Sequence, residues 1–118
     1  MRTFPSRMFR GAAIYGVIVL APLYLTPLPP TMGETLLGFI GLALVFQGLF
    51  WVIGSDPARY RALMPLAVAE KLVFAVPALA LYARGYPVPA PVAAFAGIDL
   101  LLGAGFFIAW RRTPLTRA

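Results

Sequence analysis

The sequence predicts an all-α protein that crosses a membrane four times as an up-and-down four-helix bundle. Of its 118 residues, 61% are hydrophobic and only 12% are charged, whereas roughly a quarter of the residues in an average soluble domain are charged. The mean hydropathy of +0.85 shows the same bias. Four apolar segments approach the length that a helix needs to cross the hydrocarbon core of a bilayer, about 20 residues.

The predicted spans follow one another along a single transmembrane domain that covers residues 1–118. They lie at about 11–27, 35–53, 63–82 and 91–110. The connections between them are "PLPPTMGE", "GSDPARYR" and "ARGYPVPAP", and each is rich in proline, glycine or charge, as turns are. Because these connections are short, we expect successive helices to pack as antiparallel neighbours.

The first apolar segment is predicted to be a retained span. Arg2, Arg7 and Arg10 precede it and resemble the basic region of a signal peptide. However, the apolar stretch is long for such a peptide, and no small-x-small cleavage site follows "LTPLPP". We therefore expect this segment to stay in the protein as its first helix.

Arginine placement predicts the orientation of the bundle. Eight arginines lie in the N-terminal arm, the second connection and the C-terminal tail, whereas the opposite side carries only Arg84. The positive-inside rule then places both termini in the cytoplasm. Four of the eight are expected to contact lipid headgroups, namely Arg59, Arg61, Arg111 and Arg112. The net charge of +6 is thus interpreted as a topology signal rather than a nucleic-acid footprint.

Composition argues against much enzyme chemistry. The chain has no cysteine and no histidine, which removes thiolate ligands, the commonest metal ligand and the commonest acid–base catalyst. No phosphate-binding loop is present in the sequence. We therefore predict that the protein is not an enzyme and that it uses neither a metal nor another cofactor.

Two polar stretches between the spans have local structural interpretations. The "TMGE" stretch has the spacing of a capping box, with Thr31 as the N-cap and Glu34 in the first turn of the second helix. Asp56 before Pro57 is typical of an N-cap followed by a proline in the first helical turn. Arg59 lies three residues after Asp56, where the two side chains are expected to pair.

Five polar residues are left inside the predicted spans and are expected to form an intramembrane cluster. Glu70, Lys71 and Asp99 lie close to the middle of the third and fourth spans, and Gln47 lies about one turn from the middle of the second. Tyr15 is an outer member. Ionisable groups at this depth cost about 2.5 to 3.5 kcal/mol or more each, so they face partners or water rather than lipid.

The residues that share a helix face with each charge predict its partner. Lys71 shares its face with alanines and Asp99 shares its face with Ala96 and Gly103, so both lie on surfaces where another helix can approach closely. We therefore predict a Lys71–Asp99 ion pair. Glu70 points about 100° away from Lys71, and we expect it to meet Gln47 or Tyr15 and to lack a cation. It would then be either a neutral hydrogen-bonding group that joins helices or a proton- or ligand-binding group.

Two stretches carry a family resemblance. The sequence "SDPARYRALMPLAVAEKLVF", followed by "GIDLLLGAGFFIAW", resembles small bacterial four-helix membrane proteins that are mainly uncharacterised. The stretch "AEKLVFAVPALALYARG" resembles the DoxX-like group more weakly. The first resemblance implies a multi-pass protein of the bacterial inner membrane, and it assigns no catalytic residue to this chain. The DoxX-like group has been linked to quinone-associated redox complexes, but no redox motif is present here.

Three functional hypotheses follow from the sequence. The first is a small accessory or interaction protein of the inner membrane, which binds a partner membrane protein or a second copy of itself. The second is a small transporter or channel that uses a mid-membrane carboxylate. The third is a membrane enzyme, against which the composition argues, or a subunit that binds a quinone or a lipid. The bilayer is an expected partner in each case, and nucleic acid is not.

Overall fold

The computed structural model describes residues 3–115, and within them the chain is all α-helical, with no strands. Arg2 and Arg117, which enter the predicted orientation, lie outside the described residues. The α-helices are α1 (Phe4–Leu20), α2 (Gly33–Ser55), α3 (Met64–Ala83) and α4 (Ala90–Arg112). Short 3₁₀ helices cover Ala21–Leu25 and Arg61–Leu63. All four helical segments are long and apolar enough to cross a membrane, which confirms this part of the predicted fold class.

The observed bounds of α2, α3 and α4 lie within two residues of the predicted spans, but the predicted start of the first helix at Gly11 is wrong. Helix α1 begins at Phe4, because Thr3 acts as its N-cap and accepts a hydrogen bond from the backbone N–H of Ser6 at 3.4 Å. Pro5 occupies the first turn, where a missing N–H does no harm. The α-helix ends at Leu20 and continues as the first 3₁₀ helix.

The local structure between the helices differs from the predicted caps. The N-cap of α2 is Met32, not Thr31; it has a left-handed φ of 63° and makes no side-chain cap bond. Glu34 does lie in the first turn of α2, where a negative charge is favourable. Asp56 Oδ1 accepts from the backbone N–H of Arg59 at 3.4 Å, so it caps a turn rather than an α-helix.

The contacts between helices show that α1 and α2 are antiparallel. Ser6, near the start of α1, donates a hydrogen bond of 2.7 Å to the carbonyl of Gly54, near the end of α2. Further along, Gly16 lies against Gln47. Residue numbers therefore rise on one helix as they fall on the other.

The same relationship holds for α3 and α4 and for α1 and α4. Arg61 Nε, just before α3, donates to the carbonyl of Thr113 at 2.8 Å, and Gly103 lies against Lys71. The rings of Phe9 on α1 and Phe106 on α4 stack with their centroids 4.3 Å apart. The helices thus run alternately up and down. Helices α1 and α2 form one hairpin, and α3 and α4 form a second. The two hairpins pack together mainly through α1 and α4, whereas α2 and α3 make few contacts with each other.

A cluster of buried hydrophobic residues lies at the end of the bundle where α1 begins and α4 ends, which we call the packed half. Its central rings are Phe9, Phe50 and Phe106, all fully buried. The other members of this core are Ala12, Ala13, Ile53, Met64, Ala67 and Ala109. Toward the other end, which we call the open half, fewer residues are buried.

Candidate functional site

A cavity of about 510 Å³ occupies the open half of the bundle. All four α-helices and the first 3₁₀ helix contribute to its lining. The structure brings together in this lining all five residues of the predicted polar cluster, which are Tyr15, Gln47, Glu70, Lys71 and Asp99. They lie at the end of the cavity that meets the packed half, and we call them the polar floor.

Lys71 is the centre of the polar floor. Its Nζ lies 3.6 Å from Oδ1 of Asp99 on the neighbouring helix, which is the predicted interhelical pair. The lysine side chain is only 4% exposed, whereas the Asp99 side chain is 21% exposed. Nζ also lies 5.1 Å from the ring centroid of Phe50, within the range of a cation–π interaction.

The expectation that Glu70 would be left without a cation is wrong. Its Oε1 lies 3.6 Å from Nζ of Lys71, so one lysine serves two carboxylates. The Cβ atoms of consecutive helical residues point in different directions, but a lysine side chain is long and flexible enough to reach back beside its neighbour. The expected hydrogen bond from Gln47 or Tyr15 to Glu70 is not formed.

Gln47 is held in place by its own helix. The side chain is buried, and Nε2 donates to the carbonyl of Ala43 at 2.8 Å. Its Oε1 has no hydrogen-bond partner among the described residues. The amide lies so close to Gly16 that a Cβ at that position would overlap Oε1, which explains why the residue facing Gln47 is a glycine.

Three buried oxygen atoms of the polar floor have no hydrogen-bond partner within the described part of the chain. They are the hydroxyl of Tyr15, Oε1 of Gln47 and Oε1 of Glu70. Buried polar side-chain atoms usually have a partner, either in the protein or in bound water. The floor therefore has unused capacity for hydrogen bonds with a molecule in the cavity.

The cavity walls above the floor are apolar and partly aromatic. The rings of Phe39 and Phe74 lie 5.9 Å apart between their centroids, and Phe95 lines the wall on α4. Phe39 and Phe95 are also exposed, as is Leu23 in the first 3₁₀ helix. Part of the cavity lining is therefore accessible from outside the bundle, and the packed core lies beyond the polar floor.

Arginine–aromatic contacts cluster at the other end of the bundle. The guanidinium groups of Arg10, Arg61 and Arg112 lie over the rings of Trp51, Trp110 and Phe4 at 4.6, 5.3 and 5.2 Å from the ring centroids. Arg59 lies over Tyr60 at 5.4 Å. The arginines expected to contact lipid headgroups thus belong to one basic end, formed by the N-terminal arm, the second connection and the C-terminal tail.

Sequence reasoning found the polar floor but missed the walls. Phe39, Phe74 and Phe95 carry no pattern that separates a cavity lining from lipid contact. One signal was available, because Ala43 lies one turn before Gln47 and shares its helix face. A small residue beside a buried amide leaves space in front of that amide.

Neither the described residues nor the comparisons with known proteins point to a metal site or to a known activity. Within residues 3–115, no group of three or more acidic side chains could hold a metal ion. No protein family, curated protein or solved structure was found that matches the chain. The resemblance to small bacterial membrane proteins and to the DoxX-like group stays a prediction.

Proposed function

We propose that this is a multi-pass protein of the bacterial inner membrane that binds a small amphipathic molecule within its helical bundle. Both termini lie in the cytoplasm in this proposal. The cavity then opens toward the outer leaflet, and the polar floor lies near the middle of the membrane. The accessory role expected from the sequence becomes that of a ligand-binding membrane protein, without catalytic activity of its own.

The observation that carries this proposal is a cavity with a polar floor and apolar walls. Its volume of about 510 Å³ falls within the range of small-molecule sites, roughly 300 to 1,000 Å³. Such sites are mostly apolar, with a few polar groups that orient the ligand. The oxygens of Tyr15, Gln47 and Glu70 that have no hydrogen-bond partner among the described residues are groups of this kind.

The membrane location and its orientation are supported by two features. Each of the four helices is long and apolar enough to cross a bilayer. The basic end carries Arg59, Arg61, Arg111 and Arg112 together with aromatic rings, a combination that suits anionic headgroups of the cytoplasmic leaflet. The bacterial inner membrane is proposed from the sequence resemblance.

Transport uses the same cavity but needs a second opening. The stacked rings of Phe9 and Phe106, with Phe50 beside them, fill the bundle between the polar floor and the basic end. A cavity that these packed rings separate from the basic end suits the binding of a quinone-like or lipid-like molecule better than passage across the membrane. The geometry therefore favours ligand binding over a channel.

The proposal is tested by identifying the small molecules that co-purify with the protein. The full chain is extracted in polymer-bounded native nanodiscs, and the bound small molecules are measured by mass spectrometry. Ala43→Phe fills the cavity, because Ala43 is buried in its lining. Ala94→Phe is the matched control, because Ala94 is exposed and does not belong to the lining.

We expect at least one compound to be enriched with the parent chain and with Ala94→Phe, and to be lost with Ala43→Phe. Helical content and thermal unfolding of both variants show that each is folded. Compounds that are retained equally by all three chains are bulk lipid. If no compound depends on residue 43, the cavity is not a binding site and the proposal is wrong.

A further inference from the structure

We infer that the cavity selects a ligand whose polar head is a positively charged amine. The inference rests on the proposed function and names the chemical class of its ligand. It is carried by the formal charges of the polar floor, by the floor oxygens that have no hydrogen-bond partner among the described residues and by the rings in the walls.

The formal charge of the floor is negative. Glu70 and Asp99 contribute two carboxylates and Lys71 contributes one ammonium group, whose Nζ lies 3.6 Å from each of them. The one cation is thus shared between two anions. A second cation from a ligand completes the pairing, whereas a phosphate or carboxylate head would add a third anion in a region of low dielectric constant.

The hydrogen-bonding groups of the floor also favour a cationic ligand, because those without a partner among the described residues can accept hydrogen bonds. Oε1 of Gln47 and Oε1 of Glu70 are acceptors, and neither has a hydrogen-bond partner among the described residues. The Tyr15 hydroxyl also lacks one, and it can accept as well as donate. An ammonium group carries three donors and no acceptor, so it matches this set of oxygens.

The walls suit the rest of such a ligand. Phe39, Phe74 and Phe95 line the cavity above the floor, and aromatic faces attract cations as well as apolar groups. A hydrocarbon or aromatic tail fits against these rings. The whole ligand is therefore a lipophilic amine.

Three probes of one shape separate charge from hydrophobicity. They are 4-phenylbutylamine, 4-phenylbutanol and 4-phenylbutyrate, which share a phenylpropyl body and differ mainly in the polar end. Each is titrated onto the full chain in phosphatidylcholine nanodiscs, and binding is followed by ligand-observed NMR. Empty nanodiscs measure partition into lipid, and Ala43→Phe measures binding outside the cavity.

We expect the amine to bind about tenfold or more tightly than the alcohol, because hydrogen bonds that involve a charged group are stronger than those between neutral groups. We expect no saturable binding of the carboxylate. Glu70→Gln keeps the shape of the side chain but removes its charge, so it should lower the affinity for the amine about tenfold and change the affinity for the alcohol little. Glu34→Gln is the matched control, since Glu34 is exposed and lies outside the cavity lining.

The results separate the two proposals. If the alcohol binds in the cavity and the amine binds no more tightly, the amine preference is wrong while ligand binding stands. The same conclusion follows if the co-purified compound lacks a basic nitrogen, or if Glu70→Gln leaves the preference unchanged. Absence of saturable amine binding to the parent chain also overturns the inference, whatever compound co-purifies.

Discussion

Ser6 Oγ donates a hydrogen bond of 2.7 Å to the carbonyl oxygen of Gly54, and this bond joins the start of α1 to the end of α2. The two backbones approach closely here. A Cβ placed on Gly54 would lie 3.1 Å from the Ser6 carbonyl oxygen and 2.7 Å from Cγ of Arg10. The first hairpin of the bundle therefore depends on a residue without a side chain at position 54.

Gly54→Ala should destabilise the protein by about 1–3 kcal/mol, because α1 must move to relieve the overlap. Gly38→Ala is the matched control: it lies on the same helix, and its new Cβ meets nothing within 4 Å. Alanine is the better helix former by up to about 1 kcal/mol, so the control should be neutral or stabilising. Thermal unfolding in detergent, followed by circular dichroism, measures both. Equal effects of the two substitutions would contradict the close approach.

Lys71→Met should be the most destabilising single change in the polar floor. It leaves two carboxylates, Glu70 and Asp99, without the cation that now lies 3.6 Å from each. Breaking a buried ion pair typically costs about 3–5 kcal/mol. Asp99→Asn should cost less, because Lys71 keeps Glu70 as a partner.

Combining substitutions tests this arrangement further. Adding Asp99→Asn and Glu70→Gln to Lys71→Met should recover part of the lost stability, since no charge then remains in the floor. Unfolding temperatures of the three single variants, Lys71→Met, Asp99→Asn and Glu70→Gln, and of the triple variant in one detergent provide the comparison. Strictly additive losses across the series would show that the three groups do not interact.

Phe106→Ala should destabilise the bundle by about 3–5 kcal/mol, because it removes a fully buried ring and leaves a cavity. The ring stacks on Phe9 at 4.3 Å and also contacts Phe50. Phe107→Ala is the neighbouring control, with a ring that is exposed at the bundle surface. It should cost much less in the same unfolding measurement. A comparable loss of stability in Phe107→Ala would contradict the assignment of Phe106, and not Phe107, to the hydrophobic core.

The predicted topology is tested with reporter enzymes that are active only outside the cytoplasm. Eight arginines on one side and Arg84 alone on the other predict cytoplasmic termini. A fusion at Ala118 should be inactive, and a fusion after Pro89, just before α4, should be active. The pair of fusions controls for expression when protein levels are compared by immunoblot. Activity at both positions would rule out the orientation.

The sequence predicted most of the fold because apolar length decides where a membrane helix lies. Its failure at α1 has a local cause. The sequence pattern places Arg7 and Arg10 in an arm before the span, whereas Thr3 and Pro5 start the helix before them. The predicted cap at Thr31 failed because Met32 adopts the left-handed conformation instead, which a spacing pattern does not reveal.

The candidate site was predicted in part. The Lys71–Asp99 pair was predicted correctly from the depth of each residue along its helix. Depth follows directly from residue number, because each residue of a helix adds about 1.5 Å. The helix-face argument failed for Glu70. It gives the direction in which each Cβ atom points, but it does not take into account the length of the lysine side chain, which lets Nζ of Lys71 reach Glu70. The cavity itself depends on how all four helices pack against one another in the open half, and the pattern of a single helix does not contain that arrangement.

The division into a packed half and an open half has a consequence for local unfolding. Amide hydrogens around Phe9, Phe50 and Phe106 are expected to exchange only through global unfolding, because many buried contacts must break together. Amides on the two helices beside Phe39 and Phe74 face fewer such contacts and are expected to exchange through smaller openings. The packed half would then stay folded while the four helices separate in the open half. Such a separation gives a ligand a route into the cavity without global unfolding.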